Sequence, residues 1–118
     1  MRRFLRLACL GILPLLAFRC PSKSSAPGCP PGGIQKKIAE LKAQPKANPA
    51  YEVWAYKYQG QTVYLISAPC CDNYNTVYDE CLNVLCAPSG GFTGRGDGLC
   101  PDFNEKATDK KLVWRDPR

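Results

Sequence analysis

The sequence predicts a small α+β domain, in which one N-terminal helix packs on a short antiparallel sheet and disulfides hold long loops in place. Three observations carry that expectation. Apolar residues recur at helical spacing between Gly33 and Gln44. A pair of aromatic and β-branched runs then flanks a glycine turn between Tyr51 and Ala68. Finally, 8 cysteines and no histidine among 118 residues point to an oxidised scaffold.

The elements follow in chain order. Residues 1–19 read as a signal peptide. Arg2, Arg3 and Arg6 precede the apolar run Leu7 to Phe18, which contains the helix-breaking Pro14. About twelve apolar residues make roughly 18 Å of helix, short of the ~30 Å core of a bilayer. A twin-arginine signal fits the surrounding residues poorly, so the ordinary secretory route is expected. Cys20 ends the run and precedes the polar spacer Pro21 to Ser25, a pattern that resembles a bacterial lipoprotein signal with Cys20 as the lipidation site. Phe18 and Arg19 stand where small residues are usual, and ordinary cleavage with free secretion is the alternative. Residues 20–32, rich in Pro, Ser and Gly, read as a tether.

The single domain is expected over 33–118. Ile34, Ile38 and Leu41 share one helix face, Lys36, Lys37, Glu40 and Lys42 take the other, and Pro45 stops the helix. Next comes a hairpin. A two-residue turn at Gln59-Gly60 sets Tyr58 opposite Gln61, Tyr56 opposite Val63 and Trp54 opposite Leu65. One face of this hairpin should lie under the helix. The other is a candidate aromatic binding surface unless disulfide-bonded loops cover it. Thr76 to Tyr78 and Val84 to Cys86 are short strand candidates around a polar turn at 79–83, and Lys111 to Trp114 is a candidate final edge strand.

Five glycines fall between 90 and 98, in SGGFTGRGDGLC. One reading is a loop whose backbone N–H groups cradle an anion. The plainer reading is a compact loop closed by Cys86 and Cys100 with Phe92 tucked inside. The tripeptide Arg95-Gly96-Asp97 is the one animal integrins read, and in a bacterial-looking export context it is a coincidence.

Cysteine parity supports the scaffold. Cys9 leaves with the leader, and Cys20 goes to lipid or to cleavage. Six cysteines remain, Cys29, Cys70, Cys71, Cys81, Cys86 and Cys100, enough for three disulfides of unspecified pairing. Adjacent Cys70 and Cys71 would point to opposite faces of an extended chain and so take different partners. Metal binding is not expected, because paired Cys-x2-Cys units and histidines are missing. The Asp72, Asn73 and Asn75 cluster lacks the glycine and terminal glutamate of a calcium loop. No cofactor is expected.

Charge says little about partners once the leader is set aside. Sixteen basic residues less the four arginines of the leader leave twelve against ten acids, a net charge of +2. The formal +6 of the whole chain is therefore no sign of nucleic-acid binding.

The run from Gly60 to Phe103, with LVWRDP near the end, resembles a family of small exported bacterial proteins, mostly lipoproteins, that contain a domain of unknown function. The resemblance spans roughly Cys29 to Pro117. It rests on Ala68-Pro69-Cys70-Cys71-Asp72, on Cys86 through Gly91 and on Gly94 through Gly98. It implies export and one compact domain, and it brings no activity with it.

The expectation is a non-catalytic binding or structural module of the cell envelope, membrane-anchored or periplasmic, whose partner is a protein or a glycan. The candidate binding surface is Trp54, Tyr56, Tyr58, Phe92, Arg95 and Asp97. The alternatives are a secreted protease-inhibitor-like module and a hydrolase working through paired carboxylates among Asp72, Asp79, Asp97 and Asp102.

Overall fold

The computed structural model describes residues 28–118 apart from Ala68 and Cys71. The expected leader, the expected lipidation site Cys20 and most of the expected tether lie outside the described residues, and so does Cys71.

The helix α1 spans Gly33–Ala43. The strands are β1 (Glu52–Tyr58), β2 (Gln61–Ile66), β3 (Tyr74–Tyr78), β4 (Val84–Gly90) and β5 (Thr108–Arg115), with a one-turn helix α2 (Phe103–Lys106) before β5. They form one five-stranded sheet in the order β4-β3-β2-β1-β5, antiparallel at every strand pair. Consecutive hairpins lay down β1 to β4 as a meander, and β5 returns to the far side of β1.

The β1–β2 register is the one the turn dictates: Tyr58 faces Gln61, Tyr56 faces Val63 and Trp54 faces Leu65. Gln59 and Gly60 both take positive φ, 51° and 75°, the geometry that matches the twist of a two-residue hairpin. The β3–β4 turn is closed by Asp79. Its carboxylate accepts from the Asn83 backbone N–H (2.8 Å) and side-chain amide (3.0 Å).

Each face of the sheet has its own core, because strand residues alternate between faces. On one face Val53 and Ile66 pack with Ile38 and Leu41 of α1, flanked by Tyr51, Tyr64, Tyr78 and Trp114. On the other, Tyr58, Val63 and Val77 pack with Cys86, Cys100 and Phe103, flanked by Tyr56 and Leu65. The Phe103 ring lies 5.2 Å from Tyr56 and 5.0 Å from Tyr58, centroid to centroid. The segment from Cys100 to Ala107 thus covers the aromatic face of the hairpin.

Two disulfides fix the loops. Cys86–Cys100 ties the edge strand β4 to that covering segment, and Cys29–Cys81 ties the chain ahead of α1 to the β3–β4 turn. Cys70 is also disulfide-bonded. The two edges are built to resist pairing with another chain: β4 carries Pro88, and β5 shows exposed Lys110 and Lys111.

Candidate functional site

The six residues of the expected binding surface do not form one surface. Tyr58 is 4% exposed, and its hydroxyl donates to Asp102 Oδ1 at 2.7 Å. Tyr56 is partly buried against Phe103. Trp54 lies nearer the β5 edge, with its indole N–H donating to Glu52 Oε2 at 2.8 Å and the Lys110 ammonium 4.3 Å above its ring. The aromatic hairpin face is therefore largely core.

Phe92, Arg95 and Asp97 sit together on the glycine-rich loop, but Phe92 is not tucked in. It is 91% exposed, and Leu99 beside the loop is 73% exposed. The reason is backbone packing. Gly90 and Gly91 lie against the start of β3, where a Cβ on Gly90 would strike the Asn73 carbonyl and one on Gly91 would strike the Tyr74 ring. Gly96 lies against the backbone of Ala87 to Ser89 just as closely. The interior of the loop is main chain, which leaves no room for a phenyl ring.

The same packing answers the anion-cradle reading. The N–H groups of Gly90, Gly91, Gly94, Gly96 and Asp97 donate to the carbonyls of Gly94, Asn73, Gly91, Gly90 and Ala87 respectively. The Arg95 N–H goes to Thr93 Oγ1 and the Leu99 N–H to Asp97 Oδ1. These donors are occupied within the chain.

The aspartates named for acid–base chemistry serve local structure where their contacts are defined. Asp79 closes a turn, Asp97 caps the Leu99 N–H, and Asp102 accepts from Tyr58 while pairing with Lys106 at 3.0 Å. The Tyr58 hydrogen bond, with Lys106 second, lowers the Asp102 pKa, the opposite of what a general acid requires. Among the described residues no group of three or more Cys, Asp or Glu side chains is placed to hold a metal ion.

A concave site that the sequence did not reveal lies between α1 and the sheet. The groove holds about 260 Å³. Leu41, Ile66 and Pro69 supply its apolar surface. Tyr51, Tyr74 and Tyr78 supply rings and hydroxyls, while Ser67, Asn73, Thr76 and Lys37 add short polar groups and one ammonium. Lys37 is shared with Glu40 at 3.4 Å and stands 5.3 Å above the Tyr78 ring. Tyr74 is half exposed, and Gly91 packs against its ring. A trace of the groove was present in the sequence: Tyr74, Thr76 and Tyr78 alternate along β3 and so share a face.

Sheet, disulfides and groove define a small disulfide-braced domain built on one antiparallel sheet. The chain belongs to the family described as a domain of unknown function (DUF6970), which it matches over residues 39–116. No curated protein and no solved structure matches it.

Proposed function

We propose that this protein is a non-catalytic binding module of the cell envelope, exported by residues 1–19 and tethered through Cys20. One observation carries the reading. Where β3 starts and β4 ends, the chain holds two recognition features rigidly side by side: the groove rimmed by Tyr74 and the loop that displays Phe92. Glycine-to-backbone packing and the Cys86–Cys100 bridge fix both, so little ordering entropy is lost on binding. The disulfides are compatible with an exported protein.

The protease-inhibitor alternative draws on the same disulfide-closed loop with its exposed Phe92 and Arg95. It is the weaker reading. The Gly94 N–H to Gly91 carbonyl bond at 3.0 Å folds the tip into a turn, whereas a protease cleft takes an extended segment.

The test is cross-linking in the intact envelope, followed by identification of what is captured. Wild type should capture a defined partner, and the double variant Phe92→Ala, Tyr74→Ala should not, while circular dichroism shows both folded. Equal capture by wild type and variant refutes the reading.

A further inference from the structure

The groove between α1 and β3 has a chemistry specific enough to name its ligand class. We infer that it binds a sugar ring at the end of a neutral glycan, an assignment that rests on the binding-module reading above.

Three features of the site lead there. The first is its balance of surfaces. Tyrosine rings beside aliphatic patches suit the C–H faces of a pyranose. The Tyr51, Tyr74, Tyr78 and Thr76 hydroxyls can each donate and accept, which matches sugar hydroxyls that do the same, while Ser67 Oγ is engaged with the Glu52 backbone and Asn73 Nδ2 donates to the Cys70 carbonyl. Among the described lining residues no carboxylate occurs, and the one formal charge, Lys37, is already shared with Glu40. A strongly anionic or cationic ligand therefore finds no full counter-charge.

The second feature is size and place. About 260 Å³ lies just under the range of pockets that enclose drug-sized ligands, so it admits one or two rings and excludes a helix. The groove lies over a face of the sheet. The sheet edges are β4 and β5, so a peptide in the groove would find no free strand to pair with.

The third feature is the platform. Tyr74 is 50% exposed. A Cβ on Gly91 would come within 3.0 Å of two Tyr74 ring carbons and closer to a third. Gly91 itself takes φ of 72°, a conformation that side-chain-bearing residues rarely adopt. Glycine adopts this position readily, so the chain seats an exposed aromatic ring against backbone without strain, and a seated ring loses little freedom when a sugar stacks on it.

The experiment is amide chemical-shift mapping of the purified protein with oligosaccharides of glucose and of N-acetylglucosamine. Glucuronic acid and a tyrosine-rich peptide serve as comparison probes. A saturable shift is expected at Lys37, Asn73, Tyr74 and Tyr78 with the neutral sugars. Tyr74→Ala should weaken it about tenfold, the scale of one lost aromatic contact. Tyr74→Phe, which keeps the ring and loses one hydroxyl, should bind more tightly than Tyr74→Ala and more weakly than wild type. The assignment fails if neutral sugars leave these amides unmoved, if the peptide or the acid shifts them instead, or if Tyr74→Ala binds as well as Tyr74→Phe. Should sugars fail while envelope capture still depends on Phe92, the glycan assignment falls and the module reading stands.

Discussion

Two phenylalanines eleven positions apart, Phe92 and Phe103, make a sharp test of the architecture. Phe103 is 2% exposed and packs edge-on against Tyr56 and at a tilt against Tyr58, while Phe92 is 91% exposed. Truncating a buried phenylalanine to alanine costs about 3–5 kcal/mol. With two aromatic partners that each add about 0.5–1.5 kcal/mol beyond area, Phe103→Ala should cost about 4 kcal/mol. In a domain of this size each kcal/mol lowers Tm by about 4–8 °C, so the fall should be about 16–32 °C. Phe92→Ala should stay within about 0.5 kcal/mol of wild type. Urea unfolding followed by far-UV circular dichroism and by the fluorescence of Trp54 and Trp114 measures both. Comparable losses in the two variants, or a Phe103→Ala loss under about 1 kcal/mol, would show that the Cys100 to Ala107 segment does not cover the sheet as described.

Two further outcomes follow from the same structure. Hydrogen bonds from Arg118 hold the Asp116 carboxyl at a pKa of about 2, below its ordinary 3.8. Trp54 and then Arg115 lower Glu52, and Tyr58 and then Lys106 lower Asp102, in the same direction. A carboxylate with a depressed folded pKa stabilises above its unfolded pKa, and that contribution disappears as pH falls through the folded value. Tm should therefore be insensitive to these groups from pH 7 to about 5 and drop between about pH 4 and pH 2, and Asp116→Asn should shrink the drop. The glycines of the loop should also divide by their surroundings. Gly96→Ala meets the Ala87 carbonyl and should cost well over 2 kcal/mol in chemical unfolding, whereas Gly98→Ala, with φ of 76° but open space around it, should cost about 1–2 kcal/mol.

The hairpin was legible in the sequence down to its register, because its alternation is strong and Gln59-Gly60 permits one tight turn. The helix was legible from Ile34, Ile38 and Leu41. The last strand was seen only as Lys111 to Trp114, although it runs from Thr108 to Arg115. Its outer half is polar because it forms an edge, and that erases the apolar signal. α2 escaped notice because four residues are too few to show a period, yet they position Phe103. Phe92 and Phe103 cannot be told apart by composition, since one meets a loop filled with its own backbone and the other meets a sheet. The groove was hidden because its walls come from α1, the start of β1, the end of β2 and β3, and no local window contains them all.

The Cys29–Cys81 bridge also sets a direction. It fastens the incoming chain at the β3–β4 turn, while β4 runs seven residues, about 20 Å, to the opposite end of the sheet, where Phe92 and Tyr74 lie. Any pull transmitted from the N-terminal side enters at Cys29 and is borne by the covalent bridge at Cys81 before it can peel α1 from the sheet. The loop that displays Phe92 therefore sits at the far end of β4 from the residues that such a pull loads first.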